Sequence, residues 1–160
     1  MIKNNKEYYQ ENKEEILKNK NEYRKTRRKN DPIWKLMGSI SRQVNYMLKG
    51  KKAGRSTKDL IPFTVEQLIE HMETWFNEPG NEWMNWDNQG VYNPKTWDHG
   101  GKIEDKTTWV WNLDHIKPIS HFNVEDPDNA ENDPEFLECW DLSNLRPLSA
   151  KQNVEEGNRR

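Results

Sequence analysis

Two stretches near the carboxyl end decide the fold: WNLDHIKPISHF at residues 111–122 and CWDLSNLRPLSAKQNVEEGN at residues 139–158. The β-branched and aromatic run TTWVWNL at 107–113 favours a strand, and Asp114 and His115 follow it directly. The segment DLSNLRPLS predicts a second short strand or an extended turn containing Asn144. AKQNVEEGN predicts a helix with Ser149 as N-cap and Asn153 about one turn from its start. The predicted order is strand, loop, strand, helix, and such a unit can bring these polar side chains together.

The chain before this unit is predicted to be mainly helical. Residues 1–30 contain neither Pro nor Gly and carry only a thin apolar stripe. Asp31 and Pro32 are typical of a helix start, and apolar residues recur at spacings of three and four over residues 33–48. Thr64, with Gln67 three positions later, predicts a capping box for a helix over residues 64–76. The fold class is therefore α+β.

Residues 77–108 are rich in Gly, Asn, Asp, Pro and Trp, which is typical of a long loop. We expect Trp83, Trp86 and Trp97 to pin this loop to the body of the protein, because tryptophan buries a large apolar area. A short helix is expected at DPEFLECW, residues 133–140. Cys139 is the only cysteine, which excludes an intrachain disulfide and a cysteine-rich zinc site.

Charge is divided unevenly along the chain. Residues 1–58 hold 17 Lys and Arg against 6 Asp and Glu, a net charge of +11, and residues 59–160 hold 8 against 21, a net charge of −13; together they give −2. A basic arm on an acidic body favours a polyanionic partner, and nucleic acid is the expected one. We therefore divide the chain into a basic helical region that contacts nucleic acid, 1–58, and a second domain, 59–160.

The polar residues of the last third suit phosphodiester hydrolysis. A neutral histidine can take a proton from water, since its ordinary pKa of about 6.5 lies near working pH. A divalent cation can neutralise charge that develops on the phosphate and the leaving oxygen. Mg²⁺ prefers oxygen ligands, and Asp114 and the side-chain carbonyl of Asn153 would supply two, leaving room for water and phosphate.

These residues carry a resemblance to a known family. WNLDHIKPISHF followed by CWDLSNLRPLSAKQNVEEGNR resembles the HNH endonuclease superfamily, the His-Me finger nucleases with a ββα-metal motif, in the style of phage and giant-virus members. The resemblance covers roughly residues 60–160, and the ββα core would span about 107–158. It implies metal-dependent cleavage of DNA, by nicking or double-strand breakage, with one Mg²⁺ or Mn²⁺ ion per active site.

Carried over by position, His115 matches the general base of the family and Asp114 the metal-binding acid before it. Asn144 matches the middle motif residue, which hydrogen-bonds backbone and holds the loop that bears the histidine. Asn153 matches the last motif residue, where Asn resembles the Mg²⁺-using branch. Glu156 stands where many relatives have Lys, and the loop between His115 and Asn144 is long and acidic.

Five basic residues are candidate nucleic-acid contacts: Arg24, Arg27, Arg28, Arg146 and Lys151. The three arginines of the arm would bind phosphates without regard to sequence. Arg146 and Lys151 could contact the phosphate backbone or could equally balance the acidic body, and the sequence leaves both readings open.

Two other functions stay open. The first alternative, which Glu156 favours, is a catalytically weak or inactive protein that retains the nuclease fold and serves in nucleic-acid binding or in viral structure. A protein-interaction adaptor without a nucleic-acid role is a third reading. No apolar run is long enough for a signal peptide or a membrane span, so we expect no membrane partner and a cytoplasmic, intracellular location. A virus- or phage-encoded protein that acts in its host cell is what the resemblance implies. The oligomeric state is left open.

Overall fold

The computed structural model describes residues 5–97 and 106–157. Within these ranges the α-helices are α1 (Asn5–Glu11), α2 (Lys13–Asn30), α3 (Pro32–Met47), α4 (Thr57–Leu60), α5 (Val65–Phe76), α6 (Pro134–Cys139) and α7 (Ala150–Gly157). The strands are β1 (Trp111–His115) and β2 (Leu145–Ser149). Helices together with a small sheet make the fold class α+β, as predicted. No helix in the described ranges is both long and apolar enough to cross a bilayer.

The chain divides into two compact units, with the boundary in the sequence between Lys35 and Leu36. The domain boundary predicted from composition, between residues 58 and 59, rests on the distribution of charge and stays a prediction. The first unit contains α1 and α2, and no residue of either helix is buried. The basic arm is helical, as predicted, over its described residues, and its two helices are separated at Asn12, whose side-chain amide donates to the carbonyl of Tyr8 at 2.9 Å. An asparagine that bonds its own backbone in this way competes with the helical hydrogen bonds.

The helices predicted around the core are confirmed. Asp31 caps α3, because its Oδ1 accepts a hydrogen bond from the backbone N–H of Trp34 at 2.8 Å. The capping box of α5 is complete: Thr64 Oγ1 accepts from the N–H of Gln67 at 3.2 Å, and Gln67 Oε1 accepts from the N–H of Thr64 at 2.8 Å. Each helix thereby satisfies backbone donors that have no partner within the helix.

One hydrophobic core fills the second unit. The apolar faces of α3 and α5 meet β1, β2 and α6 there, with these side chains at 0% exposure: Leu36, Ile40, Val44, Leu68, Met72, Trp111, Phe136, Cys139, Trp140 and Leu145. Burying a large apolar side chain stabilises a fold by about 1.5–3 kcal/mol. The core therefore holds the sheet between helices from both halves of the chain, and it includes Cys139 as a small buried side chain.

The two strands are antiparallel, and their register pairs Asp114 with Arg146 and His115 with Leu145. β1 begins later than the predicted residues 107–113, because Lys106–Thr108 form a 3-10 turn. Trp109, which follows this turn, stacks on Trp97 with ring centroids 5.3 Å apart. Helix α7 follows β2 directly and packs on both strands, so the described order is strand, loop, strand, helix.

Two further expectations have clear outcomes. Asn144 does not lie in the second strand but ends a 3-10 turn, Leu142–Asn144, that precedes β2. Asp141 caps this turn, since its Oδ1 accepts from the N–H of Ser143 at 2.8 Å, and strand pairing starts only at Leu145.

The expected pinning of the long loop by tryptophans is confirmed through ring contacts: Trp83 with Trp109, Trp97 with Trp109, and Trp86 with Phe76 and Trp111.

Candidate active site

The carboxyl end of β1 places Asp114 and His115 side by side in the chain. Successive side chains of a strand point to opposite faces. Both are nonetheless 5% exposed, and both line one cleft of about 260 Å³. Asn153, from the second turn of α7, lines the same cleft. The structure thus brings together the carboxylate, the imidazole and the distant amide that the sequence singled out.

Asn144 ties down the loop that leaves β1. Its Oδ1 accepts a hydrogen bond from the backbone N–H of Lys117 at 2.8 Å. Its Nδ2 donates to the carbonyl oxygens of Lys117 at 3.2 Å and Cys139 at 3.0 Å. The backbone carbonyl of Asn144 also accepts from the N–H of Ile116 at 2.9 Å. Since an amide can donate and accept at once, the side chain holds Lys117, and the backbone carbonyl holds Ile116. Asn144 thereby fixes the two residues after His115 against the turn before β2.

His115 is held by aromatic packing. Its ring meets the indole of Trp140 edge to face, with centroids 4.8 Å apart and an angle of 86° between the planes. Burial lowers the pKa of His115 to about 4, because a charged imidazolium loses its hydration there. The imidazole is therefore neutral at neutral pH, as a general base must be. Its pKa nevertheless lies well below the value near working pH that the sequence predicts, so burial makes it a weaker base.

Asp114 is paired with its cross-strand neighbour. Arg146 Nε donates to Asp114 Oδ2 at 2.9 Å, and the side chain of Arg146 is 25% exposed. A second nitrogen of the same guanidinium lies 3.6 Å from Glu156 Oε2. Arg146 therefore links the cleft carboxylate to the carboxylate that α7 carries at its last turn. The carboxylate of Glu156 therefore faces Arg146.

Asn153 is oriented from β1. Its Nδ2 donates to Asn112 Oδ1 at 2.7 Å, so the amide of α7 is bonded to the strand that carries Asp114. With its nitrogen used in this way, the carbonyl oxygen of Asn153 is the end of the amide suited to a cation. The contact fixes the helix and the strand at the point where both line the cleft.

The donor set of the cleft fits a hydrated hard cation. Asp114 offers a carboxylate and Asn153 an amide oxygen, and Mg²⁺ is commonly held by one or two protein oxygens with water and phosphate completing its shell. A carboxylate can accept from a guanidinium through one oxygen and bind a cation through the other. Within the described ranges no group of three or more His, Cys, Asp or Glu side chains is arranged to hold a metal. A site of this chain would therefore depend on the mixed carboxylate and amide pair.

The predicted phosphate contacts differ in how they are engaged. Arg146 is occupied by Asp114 and Glu156, and Lys151 lies 3.8 Å from Glu155. On α2, Arg27 donates to Asp31 and to the hydroxyl of Tyr23. Arg24 and Arg28 are exposed on the same helix. Between the two readings that the sequence left open for Arg146 and Lys151, the structure shows both residues paired with carboxylates of the body.

The sequence pattern did not single out three residues that shape the site. Gln43 of α3 lines the cleft, and Trp140 packs on His115. His71 of α5 places Nε2 2.7 Å from the carbonyl oxygen of Leu145, which ties that helix to the start of β2. Gln43, Trp140 and His71 lie 72, 25 and 44 positions from His115 in the chain. Their partners are set by the tertiary fold, and no local spacing points to them.

Comparison with known proteins gives a distant viral relative. The chain is 26% identical over 143 residues to the uncharacterized protein L246 of Acanthamoeba polyphaga mimivirus. The aligned region covers 89% of this chain and 50% of that protein. The chain thus spans about half the length of this curated relative. No protein-family model matches the chain, and no solved structure matches it significantly.

Proposed function

We propose that the protein is a metal-dependent endonuclease of the HNH type that hydrolyses phosphodiester bonds in DNA. The observation that carries the proposal is the single cleft lined by Asp114, His115 and Asn153. The hydrogen bonds of Asn144 to the loop behind His115 support it, because a base must be held in place to act. The strand, loop, strand, helix order is the one that a ββα-metal motif requires.

In the proposed reaction, His115 accepts a proton from a water molecule in the cleft as that water attacks phosphorus. The bond between phosphorus and the 3′ oxygen breaks, and the 3′ oxygen takes up a proton from solvent water, which leaves 5′-phosphate and 3′-hydroxyl ends. Trp140 keeps the imidazole oriented, and Asn144 keeps the following loop from moving away. A bound Mg²⁺ or Mn²⁺ ion would neutralise charge on the phosphate and the leaving oxygen. Asp114 and Asn153 are the residues that would hold it.

Arg146 acts in this proposal as a positioning residue. Its guanidinium holds the Asp114 carboxylate from the neighbouring strand and offsets the negative charge of Glu156. Because this single guanidinium faces two carboxylates, it only partly offsets the acidic residue at position 156. The exposed Arg24 and Arg28 of α2 would supply salt-sensitive affinity for DNA. The similarity to a mimivirus protein is in keeping with a virus-encoded enzyme acting in its host cell.

A second candidate is a nucleic-acid-binding protein that retains the fold without turnover. The low exposure of His115 and the engagement of Asp114 by Arg146 favour it, because both reduce access to the reacting groups. Incubation of supercoiled plasmid with Mg²⁺, with Mn²⁺ and with EDTA separates the two. The endonuclease nicks or linearises the plasmid only with a metal present. Salt-sensitive binding without any strand cleavage would support the second candidate instead.

A further inference from the structure

A second groove adjoins the catalytic cleft. Its volume is about 640 Å³, and it lies between the end of α3 and the 3-10 turn Ile119–His121. Ile119 and Ser120 line both the groove and the catalytic cleft, so the two spaces share a wall. The groove is therefore the immediate neighbour of the cleft on the second unit.

The charge of the groove is of one sign. Arg42 and Lys49 line it, and no Asp or Glu does so in the part of the chain that the structure describes. Both cations are exposed, and neither has an ion-pair partner among the described residues. They differ in this from Arg146 and Lys151, which carboxylates already engage. On a chain whose residues 59–160 carry a net charge of −13, an acid-free groove beside the cleft is complementary to a polyanion.

An aromatic ring stands between these cations. Tyr46 is 77% exposed and lines the groove. It follows Arg42 by four positions in α3, so these two side chains share one face of the helix. Lys49, two residues beyond the end of α3, lines the same groove. Aromatic side chains interleaved with cations are the arrangement that binds single-stranded nucleic acid, because every base has a face on which to stack.

The helix end fixes Lys49 in a conformation that favours glycine. The N–H of Gly50 donates to the carbonyl of Asn45, and the N–H of Lys49 donates to that of Tyr46, both at 2.9 Å. This pair of hydrogen bonds is the Schellman motif, and its left-handed residue is Lys49, with φ 52°. Glycine adopts that backbone without steric cost, whereas lysine does not. The positively charged Lys49 therefore occupies a left-handed backbone position at which glycine would have the lower steric cost.

From these observations we propose that the groove binds an unpaired segment of the DNA strand next to the bond to be cleaved. A base stacks on Tyr46, and the phosphates lie against Arg42 and Lys49. Duplex DNA presents base edges rather than base faces, so a stacking ring selects unpaired nucleotides. The position of the groove next to a cleaved bond rests on the proposed endonuclease function, whereas the binding of an unpaired strand does not. The preferred substrates are then branched, flapped or gapped DNA rather than continuous duplex.

Binding is measured on the full chain in EDTA, by fluorescence anisotropy with a labelled single strand and with the duplex of the same sequence. We expect the single strand to bind more tightly, and Tyr46→Ala to weaken its binding by about tenfold while Tyr46→Phe does not. Lys49→Gly should lower the slope of log affinity against log salt by about 0.7, the value for one phosphate contact on a single strand. Glycine is tolerated there, so this variant keeps the fold. Ala53→Gly, at φ 52°, and Lys58→Gln, an exposed lysine outside the groove, are the matched controls.

The outcomes separate the two proposals. If the groove variants lose single-strand binding but the protein cleaves no DNA, the groove stands and the endonuclease fails. If the protein cleaves DNA and Tyr46→Ala and Lys49→Gly bind and cleave like their controls, the groove proposal is overturned. Equal affinity for duplex and single strand also overturns it. So does self-association in sedimentation that Tyr46→Ala abolishes, since the ring would then serve a second copy of the chain.

Discussion

Arg146 and Asp114 face each other across the two-stranded sheet, and the guanidinium Nε donates to the carboxylate at 2.9 Å. The pair joins β2 to the residue that precedes the candidate base. Because Asp114 is only 5% exposed, its carboxylate has exchanged most of its hydration for this partner and others in the protein.

We expect Arg146→Ala to destabilise the protein by about 2 kcal/mol, because a mostly buried carboxylate loses a charged partner. Urea unfolding in EDTA measures the change. Lys151→Ala is the control, since the pair of Lys151 with Glu155 is longer, at 3.8 Å, and more exposed, and it should cost less than about 0.5 kcal/mol. Equal unfolding midpoints for the two variants would show that Arg146 does not hold Asp114.

Asn144→Ala should cost about 2–3 kcal/mol, because three hydrogen bonds from one side chain are lost and their backbone partners stay in a half-buried place. Asn144→Asp should cost no less, since a carboxylate cannot donate to the carbonyls of Lys117 and Cys139. Asn123→Ala, at an exposed position, is the control. Chemical denaturation reports all three variants, and an Asp substitution as stable as wild type would contradict the donor role of the amide.

Cys139 should be inert in the folded protein. Burial raises the pKa of its thiol to about 12, so the reactive thiolate is scarce at pH 8, and the side chain is 0% exposed. A thiol-specific reagent at pH 8 should label one equivalent in urea and very little without it. Fast stoichiometric labelling of the native protein would mean that the core around α6 is open.

The metal requirement should follow the chemistry of position 153. Asn153→Ala removes the oxygen that is proposed as a metal ligand, so cleavage should need about tenfold more Mg²⁺, whereas Asn153→Asp adds a negative charge and should need less. Gln152→Ala, at the exposed neighbouring position, is the control. Activity is titrated with Mg²⁺ for each variant. Superimposable titrations for all four proteins would remove Asn153 from the metal site while leaving the base untouched.

The local signals in the sequence were sufficient for the helices and for the order of the last third. The capping pair Thr64 and Gln67 and the apolar spacing over residues 33–48 are read within a few positions, and both helices lie where they were expected. The strand ends were less predictable. Trp109 stacks on Trp97, and Asn144 hydrogen-bonds to Lys117, so neither residue belongs to a strand. Both contacts join parts of the chain that a local sequence pattern does not connect.

The candidate site was predictable in its members but not in its pairing. Asp114, His115 and Asn153 could be named from motif spacing, and one cleft contains all three. That Arg146 is engaged by Asp114 and Glu156, or that Trp140 packs on His115, depends on the register of two strands and on the placement of α6. Strand register follows from which face of each strand is buried, and here that depends on the packing of the whole unit.

The proposed role of His115 as general base is decided by the rate of plasmid nicking by His115→Asn with Mg²⁺, beside His121→Asn as an exposed histidine control on the same loop. We expect His115→Asn to lose at least about 100-fold in rate. We expect a wild-type rate for His121→Asn and circular dichroism spectra that do not differ. Nicking by a folded His115→Asn protein at the wild-type rate would show that His115 is not the base.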